Sequence, residues 1–180
     1  MKKIYFVRHG ESEANSLGLS AGSEFDTPLT DKGRAQARRA GQDLKGKGIE
    51  LVVASPMDRT LETAKIIAKE IGYDPNKILT HDSFVERDMG IYSRGSDEEY
   101  LKAAASGKPL HESVETAEAM HKRLLEGLDW INSFKQEKIL IVSHGGVSRI
   151  LRLMHLNLPH SHMYKIDRLP NAEVYEFDLV

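Results

Sequence analysis

The sequence predicts an α/β fold: a three-layer α/β/α sandwich with a mainly parallel central sheet and a short inserted lid. Three observations predict it. Short apolar runs rich in β-branched residues alternate along the chain with longer segments whose apolar residues recur at helical spacing. Two of the runs, Ile4-Tyr5-Phe6-Val7 and Ile139-Leu140-Ile141-Val142, show no polar alternation, as strands buried on both faces do. The stretch from about 88 to 110 is polar, glycine-containing and alanine-rich, and reads as a small insertion, the lid. Strands separated by helices are joined by crossovers, and crossovers make parallel sheet with helices on both faces. The 180 residues fit one domain, with no repeat, low-complexity run or linker to divide them.

The first strand, Ile4 to Val7, runs into Arg8-His9-Gly10-Glu11-Ser12. Glu13 to Thr27 has no sustained period and reads as a long loop across one face; a loop of that length in a compact domain is more often functional than idle. Pro28-Leu29-Thr30 leads into a helix with Thr30 as N-cap, Ala37, Ala40, Gly41 and Leu44 on its buried face, and Gly46 and Gly48 at its end. Ile49 to Ala54 is the second strand and Ser55-Pro56 its exit. Ala64, Ile67, Ala68 and Ile71 mark the next helix, which stops at Gly72. Ile78-Leu79-Thr80 predicts a short strand leading to Phe84-Val85-Glu86-Arg87, and one short helix is expected in the lid near Asp97 to Ala105. A longer helix is predicted from about Ser113, its N-cap, with Ala117, Met120, Leu124, Leu128 and Ile131 on the buried side. It feeds the strand Lys138 to Val142, which ends at Ser143-His144-Gly145-Gly146, and Val147, Ile150, Leu151 and Met154 form the stripe of the helix after it. Glu173 to Leu179 alternates polar and apolar, the pattern of a strand with one wet face, expected at an edge and antiparallel.

Composition removes several function classes. With no cysteine there is no thiol catalysis and no cysteine-ligated metal, and a reducing, cytoplasmic location is the expectation. A formal charge of −2 and a pI near 6.5 give no bulk attraction to nucleic acid or to an anionic membrane. No apolar stretch reaches the length of a membrane span, and Arg8 interrupts the opening run too early for a signal peptide. Any anion site must be local.

The polar residues at the ends of the apolar strands are Arg8, His9, Arg59, Glu86 and His144. In open α/β sheets ligands bind in the crevice outside the carboxyl ends of strands. If the strands ending at His9 and His144 are parallel neighbours, their imidazoles meet in one pocket. Guanidinium is permanently charged and forks toward phosphate oxygens. Histidine stays neutral enough near pH 7 to attack as a nucleophile. The helix after Gly145-Gly146 turns its amino terminus to the same place. Together these describe a phosphate pocket.

Arg8-His9-Gly10-Glu11-Ser12 with Asn15 resembles the signature of the histidine phosphatase superfamily, the group that includes cofactor-dependent phosphoglycerate mutase. The resemblance runs on through Leu29-Thr30 with Gly33, Gln36 and Ala37, Ser55-Pro56 with Arg59-Thr60 and Thr63-Ala64, Glu86-Arg87 with Gly90, Glu112-Ser113, and Ser143-His144-Gly145-Gly146, in order over nearly the whole chain. It implies that His9 is the nucleophile that accepts the phosphoryl group. Arg8, Arg59 and His144 hold its oxygens, with Asn15 and Gly145 adding hydrogen bonds, and Glu86 protonates the leaving oxygen and then activates water. It implies no metal and no other cofactor. Blander readings stand beside these roles: Arg59 paired with Glu62 on the surface, Asn15 capping a turn, and Asp82, Asp88 or Glu112 as the proton donor. His155, His160 and His162 lack metal-ligand spacing and read as solvated loop or core histidines.

The short insertion favours hydrolysis of a phosphomonoester over transfer between hydroxyls, with phosphoglycerate mutase as the alternative. A small molecule or a phosphoprotein is the expected partner. Lys102, Lys108, Arg87 and Arg94 are candidates for a second anionic group, the lysines reading better as solvated surface. A phospholigand-binding module without turnover, and a metal-dependent hydrolase built on His9, His144 and Glu86, are the readings from other classes.

Overall fold

The computed structural model describes residues 1–179 and builds one five-stranded sheet between two layers of helices. The strands are β1 (Lys2–Arg8), β2 (Leu51–Ala54), β3 (Leu79–Thr80), β4 (Lys138–Ser143) and β5 (Val174–Leu179), in the order β3-β2-β4-β1-β5. The expected parallel pairing holds at its centre: β1 and β4 run side by side with Val7 opposite Val142 and Arg8 opposite Ser143, so both chains leave the sheet at one edge. β5 closes the far side antiparallel to β1, as its alternation predicts.

Because side chains alternate along a strand, each central strand feeds two cores. Ile4 and Phe6 of β1 and Ile139 and Ile141 of β4 pack on α5 (Ala117–Asn132) and α6 (Gly145–His155) through Met120, Leu124, Ile131, Val147 and Ile150. Tyr5 and Val7, with Leu140 and Val142, pack on α2 (Asp31–Leu44) and α3 (Asp58–Ile71) through Ala40, Leu44, Ala64 and Ile67. Each Leu or Ile fully buried here stabilises by about 1.5–3 kcal/mol, enough to fix the strand register. α2 begins at Thr30, whose hydroxyl accepts from the Gly33 amide, and α3 ends at Gly72 in the left-handed region, φ +77°. α2 meets the loop after β1 backbone to backbone: a Cβ on Gly33 would lie 2.0 Å from the Glu11 carbonyl oxygen, and one on Gly10 2.3 Å from that of Gly33.

Several expectations change. The segment from Glu13 to Thr27 is not all loop, because Glu13–Ser16 forms a single helical turn, α1; Ser12 and Asn15 cap it reciprocally. The second strand starts at Leu51 rather than Ile49, and the third is reduced to two residues. α5 starts at Ala117, not after Ser113, because the Thr116 hydroxyl accepts from the Ala119 amide and wins the cap. Ser113 instead supports the lid: its hydroxyl accepts from the Ile91 amide, beneath Gly90 at φ +51°. The lid carries the expected helix, α4 (Asp97–Ala105), capped by Ser96, and packs through Met89, Tyr100 and Ala104 against Tyr164.

Candidate active site

The parallel pairing of β1 with β4 brings the two histidines together, with ring centroids 5.4 Å apart. His9 Nδ1 lies 2.7 Å from the Gly10 carbonyl oxygen. A carbonyl only accepts, so Nδ1 carries the proton and the lone pair sits on Nε2. That lone pair faces Arg59 Nε at 3.3 Å. His144, also fully buried, lies behind His9 and bonds through Nε2 to the Ser55 hydroxyl at 2.8 Å, while its Nδ1 has no partner among the described residues. Burial first, then the positive charge of Arg59, pushes both imidazoles well below the usual histidine range. Both are therefore neutral at pH 7.

Arg59 is not a surface residue paired with Glu62. It is 1% exposed, and it donates to Asp26 at 2.7 Å and to the Gly22 carbonyl at 2.9 Å, pinning that segment over the site; Glu62 takes Arg34 instead. Arg8 donates to the Leu169 carbonyl at 2.7 Å, and its buried Nε has no partner among the described residues. Burial and then Arg168 lower its guanidinium to about 10, which leaves it charged at neutral pH. Asn15 both caps a turn and lines the cavity: its Oδ1 accepts from the Ser12 amide and from Asn171 Nδ2, so its own amide NH₂ remains free to donate.

Glu86 reaches the cavity from the turn after β3, and two backbone amides hold its carboxylate, that of Arg87 at 2.8 Å and that of Gly146 at 3.1 Å. The first turn of α6 thus meets the glutamate. Gly145 does not line the cavity; its missing side chain leaves room for Arg168 Cδ and Arg8 Nε, 3.0 and 3.3 Å from where its Cβ would be. Arg87 donates to the Glu115 carbonyl and to the hydroxyls of Tyr100 and Tyr164. Lys102 pairs with Glu98 on the exposed face of α4, Lys108 is exposed, and Arg94 lies over the Phe25 ring.

Some lining residues went unread in the sequence. Arg149 is one helical turn beyond Gly146 and on the same face of α6, a spacing that could have identified it. Arg168 comes from an aperiodic connection before β5 and carries no such signal, nor does Asn171 of the same connection, which does not line the cavity but donates to Asn15 Oδ1. Asn171 also donates to the His9 carbonyl at 3.0 Å. Arg123 on α5 donates to the carbonyls of Ser83, Val85 and Glu86 and pairs with Glu115, so it clasps the turn that presents Glu86. His160 and His121 bond to each other away from the cavity, and among the described residues no three side chains of metal-ligating type cluster closely enough to share an ion. No helix among the described residues is long and apolar enough to cross a membrane.

The chain is 34% identical to an uncharacterised phosphatase, PhoE, of Bacillus subtilis, across 84% of this chain and 76% of that one. It is also 34% identical to a probable phosphoglycerate mutase, GpmB, of Cronobacter sakazakii, across 99% and 85%. The fold superposes on YhfR of Bacillus stearothermophilus with a TM-score of 0.86, 24% identity and coverage of 100% and 92%. The profile of the histidine phosphatase superfamily (branch 1) matches residues 4–179, and the chain belongs to that superfamily.

Proposed function

We propose that this protein hydrolyses phosphomonoesters through a phosphohistidine on His9. The observation that carries the reading is the fixed tautomer: the Gly10 carbonyl holds the proton on Nδ1, and Nε2 presents a lone pair beside three cationic or donating groups. In the first step Nε2 attacks phosphorus, the P–O ester bond breaks, and the Glu86 carboxyl gives its proton to the departing oxygen. The attack withdraws the lone pair from Arg59, whose Nε–H then turns to a non-bridging oxygen. Arg8 Nε and His144 Nδ1, both without partners among the described residues, supply two more donors. In this mechanism the Ser55 hydroxyl, 2.8 Å from His144 Nε2, is the donor of that bond, which puts the ring proton on Nδ1. Such preorganised donors act on charge that is spread over the equatorial oxygens of the transition state. In the second step water attacks phosphorus, the P–N bond breaks and Glu86 takes the proton, releasing inorganic phosphate and restoring the site. No step requires a metal.

The decisive experiment is the intact mass of the protein quenched without acid during turnover of para-nitrophenyl phosphate. A transient adduct of one phosphoryl group in the wild type, absent in His9→Ala, with phosphate release undiminished by a chelator, is the expected result. Turnover that persists in His9→Ala refutes the nucleophile. Efficient interconversion of 2- and 3-phosphoglycerate without net phosphate release refutes hydrolysis in favour of the mutase, to which the probable phosphoglycerate mutases among the relatives point.

A further inference from the structure

Gly33 and Gln36 of α2 are among the residues that carry the family resemblance, yet neither lines the cavity. Both meet the peptide unit that joins Gly10 to Glu11, whose carbonyl holds the proton of His9 on Nδ1. A Cβ on Gly33 would lie 2.8 Å from the Glu11 nitrogen, so only glycine lets the helix come this close. The approach brings Gln36 into reach, and its Oε1 accepts from the Glu11 amide at 2.8 Å. The neighbouring units are held as well. The Gly10 amide donates to the Thr63 hydroxyl at 3.1 Å, and the Thr30 amide donates to the Glu11 carbonyl at 2.9 Å.

A trans peptide is planar, with its N–H and C=O pointing in opposite directions. Whatever fixes the Glu11 amide therefore also aims the Gly10 carbonyl. With the N–H on Gln36, the carbonyl faces His9 Nδ1 at 2.7 Å and accepts its proton. Turned over, the same unit would present its N–H to Nδ1, which would then have to accept, and the ring proton would move to Nε2. The Arg59 Nε–H, 3.3 Å from Nε2, opposes that shift only while it has no phosphoryl oxygen to turn to. Once a phosphate is bound, the Gly10 carbonyl is the restraint that remains on the tautomer.

We propose that Gln36 is a positioning residue that keeps His9 nucleophilic, by holding the peptide between Gly10 and Glu11 in the orientation that leaves the Nε2 lone pair free. The inference rests on the reading of His9 as the nucleophile. Gln36 touches no reacting atom and acts through the backbone alone. A side chain of similar length without an acceptor strands the Glu11 amide and frees the unit to turn over, whereas one with an acceptor keeps it in place. Gly10 and Gly33 serve the same end, because their missing side chains let α2 deliver Gln36 to this peptide.

The test reads the tautomer directly. Imidazole nitrogen shifts of His9 are recorded by NMR on protein carrying isotopically labelled histidine, and assigned by their absence from His9→Ala. Wild type, Gln36→Met and Gln36→Glu are compared, free and saturated with inorganic phosphate, with phosphate affinity and para-nitrophenyl phosphate hydrolysis followed in parallel. Methionine and glutamate are both good helix formers, so α2 is retained. Wild type and Gln36→Glu are expected to carry the proton on Nδ1 throughout. Gln36→Met gains an Nε2-protonated population when phosphate is bound, and its kcat falls about tenfold while phosphate affinity stays within about twofold. Protonation on Nδ1 alone in Gln36→Met overturns the proposal. So does an equal tautomer mixture in Gln36→Glu, which would show a loosened helix rather than a lost acceptor, and so does phosphate affinity that falls in step with kcat. The expected tautomers with no hydrolysis by the wild type would refute the phosphatase reading alone, and hydrolysis with the tautomer unmoved by Gln36→Met would refute the role of Gln36 alone.

Discussion

Gly146→Ala separates the acid from the rest of the machinery. A Cβ on Gly146 would lie 2.4 Å from Glu86 Oε1, where a normal contact needs about 3.4 Å, so the carboxylate must retreat by about 1 Å. The neighbour that gives way is the tip of a flexible side chain rather than backbone, and the substitution sits in the first turn of α6, where alanine is a better helix former than glycine by up to about 1 kcal/mol. Stability is therefore expected to hold or rise. What is lost is the position of Glu86, including its 3.1 Å bond from the Gly146 amide, and a displacement of about 1 Å costs about 10²-fold where geometry governs the step, or about 2.7 kcal/mol of barrier. The assay is kcat on two substrates: para-nitrophenyl phosphate, whose leaving group needs little proton assistance, and an alkyl phosphate, whose leaving group needs it. The expected result is a loss of about 10²-fold on the alkyl ester and a several-fold loss on the nitrophenyl ester, with the phosphohistidine still forming from the latter. Equal losses on both, or no loss on either, would refute Glu86 as the proton donor.

The neutral histidines predict a pH-dependent stability. The unfolded chain takes up protons at His9 and His144 as pH falls through about 6.5, while the folded chain, whose histidines sit well below that value, does not. Stability is full above about pH 7 and declines as pH falls below 6.5, by about 1.4 kcal/mol per pH unit for each histidine. Urea midpoints between pH 7.5 and 5.5 check the slope, and His144→Gln should roughly halve it. Arg123→Met strands the carbonyls of Ser83, Val85 and Glu86 and leaves Glu115 unpaired; a largely buried pair broken on one side costs about 3–5 kcal/mol, read as a fall in the denaturation midpoint. Arg123→Lys, which keeps the charge but not the fork, should fall between, and both variants should lose more activity on alkyl than on nitrophenyl esters.

What the sequence shows of this fold is what is local or periodic. The central strands are legible because burial on both faces removes polar alternation, α2 because cap, stripe and terminating glycines agree within one short window, and α3 because its stripe runs to a terminating glycine. The start of α5 is less so, since Ser113 and Thr116 are both good caps and only the lid, which claims the Ser113 hydroxyl through the Ile91 amide, decides between them. The site divides in the same way. Residues at strand ends are legible because strand ends converge. Asp26, Asn171 and Arg168 are not, because each reaches the site from an aperiodic connection and is fixed there by a tertiary partner: Arg59, the His9 carbonyl and Asp97. Asp26, which nothing local marks out, is the counter-ion of the buried Arg59.

The same positive field accounts for two properties that would otherwise seem to conflict. A nucleophilic histidine must be unprotonated, and a phosphate site must be cationic. On the proposed reading the cations serve both ends, because burial first and then Arg59 and Arg8 disfavour a proton on His9, while the same guanidiniums would attract the dianion. The Gly10 carbonyl then decides which nitrogen holds the one proton that remains. Were Nδ1 deprived of that acceptor, the proton would be free to move to Nε2 and block the attack. Glu86 is positioned differently: its carboxylate accepts from the backbone amides of Arg87 and Gly146, and among the described residues it forms no ion pair with any of the five guanidiniums lining the cavity. The two amide donors fix the position of the carboxylate. On the proposed reading, the roles of His9 and Glu86 rest on the partner each is given: a carbonyl that holds the proton on Nδ1 of the nucleophile, and two backbone amides that position the acid.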